Sequence, residues 1–387
     1  MKLVFINYTN EPFSPTAAGA AISMWLWEMC QAAQKAGVEP LVIAKASPAE
    51  PYPWHRISFV PFPAPPQNTV VDFALRAQRK LTGWRYLRQR TYVCRVARAI
   101  RDANMEDAFL VLHNDPEMAI YLRRVLPKAR IMLLFHNPDH YMRKTFRGDI
   151  SKSTNVLMAV SNAAARAVEG AYGLRPNIMR TLYNGVDVDH FKPGRRDPNP
   201  VPIINYAGRI RSDKAPDILL RAALILSEST TSFSIQLLGT SQLPEGAVDA
   251  YELEIRDLIA RLEQRGVLVR RAGYVDRNRL AEEFRKADIH VTPSRCQEAF
   301  GLAALEAMST GLATIVSRTG GSPEVVGDAG FLFDPNSPAE LAAHLKQLVV
   351  NENLRVSYGR KARSRAEQLT WDRTWGNLVE LSGMPPR

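Results

Sequence analysis

Cysteine is scarce: Cys30, Cys94 and Cys296 are the only three in 387 residues. They lie far apart, with no C-x-x-C or Cys/His spacing, so neither a disulfide framework nor a zinc site is expected. A reducing compartment fits such usage. Long apolar runs are missing too, and nothing approaches the roughly 20 residues that a membrane span requires. The opening MKLVFINYTNEP has too short an apolar stretch for a signal peptide and reads as a first strand. The protein is therefore expected in the cytoplasm, as a soluble or peripheral species. No internal repeat and no nucleic-acid recognition module is visible. What is present is ordinary globular material: 46% hydrophobic and 23% charged residues, enough for two cores. The formal charge of 50 − 39 = +11 attracts phosphates, nucleic acid or anionic lipid without choosing among them.

The strongest pattern is alternation of short apolar runs with longer helical stretches. Candidate strands in the first half are Leu3–Tyr8, Leu41–Ala44, Ile57–Val60, Phe109–His113, Ile131–His136 and Leu157–Ser161. In the second half they are Ile203–Ala207, Ile235–Gly239, Val267–Ala272, Ile289–Thr292 and Ala313–Ser317. Near-continuous apolar strands separated by helices predict parallel sheets covered on both faces, an α/β chain. Two such runs predict two doubly wound domains, which bind ligands at the carboxyl ends of their strands. Asn184-Gly185-Val186-Asp187 and the Pro/Gly-rich stretch from Lys192 to Pro200 separate them, a break typical of a connector. The first domain is expected over residues 1–195 and the second over 196–370.

Residues 76–101 carry Arg76, Arg79, Lys80, Arg85, Arg88, Arg90, Arg95, Arg98 and Arg101 with no acidic residue among them, and Trp84, Tyr86, Leu87 and Tyr92 interleaved. Two readings stand side by side. One is a basic amphipathic helix facing an anionic membrane; the other is a solvated helix face with a core stripe at Val93, Val96, Ala97 and Ile100.

The chemistry concentrates between Ile289 and Asp334. A strand ending at Ser294 leads through Arg295-Cys296-Gln297-Glu298 to a helix expected to open near Phe300-Gly301-Leu302 and stop at Gly311. A helix N-terminus offers unpaired N–H groups and a positive dipole end, suited to a diphosphate, and Gly301 permits close approach. Glu298 and Glu306 flank this point, placed to accept hydrogen bonds from hydroxyls on either side of a diphosphate. Arg209, directly after the strand IINYA-Gly208, and Lys214 add two cations at the sheet edge, where they can neutralise a departing diphosphate.

The sequence GRIRSDK, the stretch EAFGLAALE from Glu298 to Glu306, and Gly320-Gly321-Ser322-Pro323-Glu324 resemble the motif set of the retaining glycosyltransferase family 4. VSNAAARAV, YNGVDVDHF and LTWDRTW resemble its hinge region and last helix. The resemblance implies the GT-B fold, with two Rossmann-like domains facing across a cleft and a C-terminal helix, residues 371–387, crossing back toward the first. It further implies that Arg209 and Lys214 bind the donor diphosphate with the N–H groups of Phe300, Gly301 and Leu302. By the same resemblance Glu306 holds the ribose, Glu298 contacts the transferred sugar, and Tyr274 lies near the base. The family places a glycine-rich loop after the first strand; here Gly19 stands alone where a Gly-Gly pair is usual, and Ala215 follows Lys214 where glycine is common.

His136, ending the strand IMLLFH, sits where a doubly wound sheet meets its ligand; the resemblance implies that it bonds the donor sugar or positions the acceptor. His113 is its rival. Asp187-Val188-Asp189 matches a metal-binding DxD pattern, yet it lies in the hinge phrase, where aspartates shape turns. The expectation is a retaining, metal-independent transferase using no cofactor. It moves a hexose-type sugar from a UDP- or GDP-sugar to a saccharide or lipid-linked acceptor. A nucleotide-sugar epimerase and a non-catalytic nucleotide-sugar-binding assembly protein are the alternatives; nucleic acid is not an expected partner.

Overall fold

Buried strands need helices on both faces, and the alternation in the sequence supplies them. The computed structural model describes residues 2–7, 21–44, 57–60, 86–137, 149–194, 199–241 and 248–384. Gly19 and residues 76–85 of the basic segment lie outside them. The chain forms two compact units, Met1–Tyr183 with Trp371–Arg387, and Asn184–Thr370. The second unit thus begins at Asn184, ahead of the Pro/Gly-rich connector and of the expected boundary at 195. Arg285 explains part of this: it donates to the carbonyls of His190 (2.7 Å) and Lys192 (2.9 Å), holding that stretch on the second unit.

The first unit carries β1 Leu3–Asn7, β2 Leu41–Ala44, β3 Ile57–Phe59, β4 Phe109–His113, β5 Arg130–Phe135, β6 Val156–Ala159 and β7 Arg180–Thr181. Its helices are α1 Ala21–Lys35, α2 Tyr86–Asp102, α3 Pro116–Val125, α4 Asp149–Ser153 and α5 Asn162–Tyr172. The C-terminal helix, α13 Trp371–Ser382, packs on α1 in the same unit. The sheet runs β3-β2-β1-β4-β5-β6-β7 with every pairing parallel. Its core includes Val4, Ile6, Leu110, Leu112, Ile131 and Leu133.

The second unit carries β8 Ile203–Ala207, β9 Ser234–Leu238, β10 Val269–Gly273, β11 Ile289–Thr292, β12 Ala313–Ser317 and β13 Phe331–Phe333. Its helices are α6 Pro216–Ser227, α7 Ala250–Gln264, α8 Arg277–Lys286, α9 Leu302–Ser309, α10 Ser322–Val326, α11 Pro338–Val350 and α12 Glu352–Ala366. Strand order is β10-β9-β8-β11-β12-β13, again all parallel. Both sheets are doubly wound, with order reversing beside β1 and β8.

Of the two readings of the basic segment, the core stripe is present: Tyr92, Val93, Val96, Ala97 and Ile100 are all buried on α2. Tyr92 is therefore a core residue and not an interfacial aromatic. Arg95, Arg98 and Arg101 lie on the exposed side. No helix among the described residues is long and apolar enough to cross a membrane.

A polar chain runs through the interior of the second unit. Glu283 accepts from Arg270 (2.7 Å), Lys286 (2.5 Å) and Gln236 (2.5 Å). Asn205 Nδ2 donates to Gln236 (3.2 Å), while His290 bonds Asn205 through Nδ1 (2.9 Å) and Thr292 through Nε2 (3.0 Å). Every member finds a partner, as burial demands. The chain ends at the carboxyl edge of β11, next to the loop described below.

Candidate functional site

In the second unit the connections leaving β8 and β11 part at the switch point, so their loops flank one opening at the carboxyl edge. Tyr206 fixes the first loop by donating its hydroxyl proton to Arg209 O (2.5 Å). Gly239, at φ +139°, adds a backbone contact: a Cβ there would meet Gly208 O at 1.9 Å. The Arg209 side chain is exposed and forms no ion pair among the described residues. Asp213 O then accepts the N–H groups of Arg295 (2.9 Å) and Cys296 (3.1 Å), stapling this loop to the one after β11. Below the staple, Arg295 donates to both Asp217 oxygens (2.7 and 2.5 Å).

Lys214 precedes helix α6 and is not part of it; Pro216 opens the helix and Ala215 is the cap, at φ +55° and fully buried. A left-handed backbone there explains why glycine suits the position. Lys214 Nζ donates to Glu298 Oε1 (2.5 Å), and Ser294 Oγ donates to the same oxygen (2.7 Å). Burial works to lower the Lys214 pKa, but the charge and hydrogen bond of Glu298 outweigh it and raise the pKa above the ordinary lysine value. The pair is ionic.

Helix α9 opens at Leu302, within the stretch Phe300-Gly301-Leu302 where the sequence places its start. Phe300 is buried, Gly301 is the cap at φ +104°, and Leu302 is the first helical residue. No side chain caps the first turn, so the amino end of α9 retains N–H capacity for an anion. Gly301 suits its left-handed backbone, and a Cβ would stand 3.0 Å from Ser322 Oγ, which is buried with no hydrogen-bond partner among the described residues. Gly320 packs against the other side of the loop. At φ +59°, its Cβ would meet Glu298 O at 2.1 Å, and Gly321 N–H donates to that carbonyl at 2.6 Å. The Gly-Gly pair thus clamps the backbone that carries Glu298.

Glu306, on the buried side of α9, accepts from Arg277 Nη1 (2.6 Å). Burial raises its pKa against the opposing charge of Arg277. Tyr274 is 57% exposed and follows β10. The structure therefore brings Lys214 and Glu298 into contact. It leaves Arg209 and Tyr274 without a hydrogen bond or ion pair to either, among the described residues. Tyr206, Ser294 and Arg277 are site residues that sequence reasoning missed. Ser294 stood one helical turn's spacing before Glu298 and was findable; nothing in the sequence linked Arg277 to Glu306.

In the first unit, His113 Nδ1 and His136 Nε2 lie 2.9 Å apart, both rings buried, with Trp25 packed edge-on against them. Burial pushes the His136 pKa down to about 3; burial and the neighbouring His136 push that of His113 well down. His136 N–H donates to Asn114 Oδ1 (2.7 Å). Asp187 Oδ1 accepts the N–H groups of Asp189 and His190, both at 3.0 Å, which is a turn.

The family described as Glycosyl transferases group 1 matches residues 187–365, and that described as Glycosyltransferase Family 4 matches residues 22–190. D-inositol 3-phosphate glycosyltransferase 2 of Catenulispora acidiphila is 30% identical over 261 residues, covering 64% of this chain and 60% of that protein. The D-inositol 3-phosphate glycosyltransferase of Saccharomonospora viridis is 31% identical over 245 residues, 58% of this chain and 54% of the relative. The chain thus spans less than two thirds of the length of these curated relatives. Among solved structures, Anabaena Alr3699/HepE in complex with UDP is similar at a TM-score of 0.73 and 18% identity, over 99% of this chain and 100% of that one. The OtsA apo structure is similar at a TM-score of 0.70 and 14% identity, over 100% of each chain. At these identities the likeness establishes the two-domain GT-B fold.

Proposed function

This chain belongs to the family of Glycosyl transferases group 1 and Glycosyltransferase Family 4, and on that premise we propose that it moves a hexose-type sugar from a UDP- or GDP-sugar to a saccharide or lipid-linked acceptor. One observation carries the reading: Lys214, Glu298 and the uncapped amino end of α9 meet at the β8/β11 switch point. In this account the donor diphosphate lies on the N–H groups of Phe300, Gly301 and Leu302. Lys214 and Arg209 neutralise the charge that builds on it as the bond to the sugar breaks. These groups take the electrostatic part that a divalent cation plays elsewhere, so the reaction runs without a metal.

Glu298 accepts from sugar hydroxyls, Glu306 from the ribose, and Tyr274 lies near the base. His136, buried and neutral, bonds the transferred sugar or positions the acceptor. The bond from the anomeric carbon to the diphosphate oxygen breaks, and the acceptor oxygen attacks from that same face. Its proton passes to the departing phosphate, which retains the configuration.

The neighbour in complex with UDP favours a uridine donor. The curated relatives' names add a phosphorylated inositol to the acceptors worth testing. The exposed arginine side of α2 supports an anionic membrane and a lipid-linked acceptor, which flotation with anionic vesicles at low salt tests. Free thiols at Cys30, Cys94 and Cys296 fit action in the cytoplasm.

The experiment is a thermal-shift screen of nucleotide sugars, followed by acceptor-dependent release of UDP or GDP from the donor that stabilises. Conversion of the donor without acceptor favours the epimerase. Binding without turnover across the acceptor panel favours the non-catalytic assembly protein.

A further inference from the structure

Glu306 is a nearly enclosed carboxylate, its side chain 6% exposed, with one hydrogen-bond partner among the described residues: Arg277, at 2.6 Å from Oε1. Oε2 bonds to no described residue. Arg277 is held in place from several sides. It is the first residue of α8, directly after the cap Asp276, whose side chain accepts from Asn278 N–H (2.9 Å). Its guanidinium carbon stands 5.4 Å from the centroid of the Phe191 ring, a favourable cation–π placement. Phe191 is itself fixed, because its carbonyl accepts from Ser309 Oγ (2.6 Å) and Arg363 Nη1 (3.1 Å).

A carboxylate this enclosed takes up a proton or turns toward solvent unless a cation and hydrogen bonds hold it. A rigid guanidinium on one oxygen opposes protonation and aims the other oxygen. We propose that Arg277 is the positioning residue for the donor's ribose, holding Glu306 so that Oε2 is presented to the ribose hydroxyls of a nucleoside diphosphate. The inference rests on the reading of Glu306 given above. Arg277 does not touch the bond that breaks, so its loss falls on donor binding and spares the chemical step.

The test compares the wild type with Arg277→Met and Arg277→Lys. Affinities for UDP and GDP are measured by calorimetry, each beside its 2′,3′-dideoxy counterpart, with thermal melting to report folding. With the donor sugar that the wild type uses, Arg277→Met is expected to raise KM about tenfold or more while kcat stays within about threefold. Arg277→Lys recovers most of the affinity. The loss in Arg277→Met shrinks for the dideoxy nucleotides, which lack the hydroxyls Glu306 would hold; a merely structural role would weaken both ligands alike. A folded Arg277→Met that binds the ribonucleotides as the wild type does overturns the inference, as does an equal loss for ribo and dideoxy ligands. Should Arg277→Met not fold, Arg277→Lys on the same ligand pairs decides: an affinity loss equal for both members of a pair overturns the proposal, and one confined to the ribonucleotide supports it. A wild type that binds neither UDP nor GDP overturns the donor-site reading itself, a distinguishable result.

Discussion

His113 Nδ1 and His136 Nε2 share one hydrogen bond of 2.9 Å in the interior of the first unit. Both rings are neutral, so one proton lies between them. His113 Nε2 is buried with no partner among the described residues. An orphaned buried N–H is rarer than an orphaned acceptor, which places the shared proton on His113 Nδ1 and leaves Nε2 bare. His136 then accepts through Nε2 and carries its own proton on Nδ1. Nitrogen-15 spectra of histidine-labelled protein check this. His136 is expected to show a protonated Nδ1 and a bare Nε2, and His113→Phe should release that preference. A protonated Nε2 on His136 in the wild type contradicts it.

Buried neutral histidines also set a pH dependence. Burial lowers the pKa of His136 and of His290 to about 3 and that of His113 well below its ordinary value. Unfolded imidazoles bind a proton below about pH 6.5. From there down to about pH 3 the unfolded chain holds more protons than the native one, so stability falls as pH falls. Glu306, with its raised pKa, works in the opposite sense. Urea unfolding between pH 7 and pH 5, in the wild type and in His290→Gln, therefore reads the histidines. Stability is expected to drop across this interval, and His290→Gln should flatten the slope for the second unit. A flat profile in the wild type contradicts the buried, neutral assignment.

Gly320 offers a steric test of the loop that carries Glu298. Gly320→Ala places a methyl 2.1 Å from Glu298 O and 2.5 Å from Glu298 N, at a φ of +59°. Left-handed backbone costs an alanine about 1 kcal/mol, and the clash adds to it by moving Glu298 away from Lys214. The variant is expected to remain folded with a lowered melting temperature and to bind the donor sugar about tenfold more weakly. Wild-type donor affinity in Gly320→Ala would show that the position of this loop does not govern binding.

Much of this was legible in the chain. Strands such as Phe109–His113 and Ala313–Ser317 are continuous apolar runs because both faces are covered, and their ends matched. Edge pieces did not announce themselves: Arg180–Thr181 is too short to carry a pattern, and Phe331-Leu332-Phe333 is as apolar as a helix turn. The opening of α9 was legible to within three residues; Gly301, whose backbone no helix residue adopts, fixes it at Leu302. Lys214 and Glu298 could be singled out, but their contact spans 84 positions and only the strand order β8-β11 brings it about. The Arg277–Glu306 pair was illegible for a similar reason: it depends on how α8 docks on α9, which residue spacing does not encode.

The central claim is that a nucleoside diphosphate sits between Lys214 and the amino end of α9. Calorimetric titration of UDP and GDP into the wild type and into Lys214→Met measures this most directly. The wild type is expected to bind one of the two at one site per chain. Lys214→Met should bind it at least about tenfold more weakly, a loss of about 1.4 kcal/mol or more, with its melting temperature little changed. Equal affinity in the two proteins, or no binding of either nucleotide to the wild type, would contradict the account.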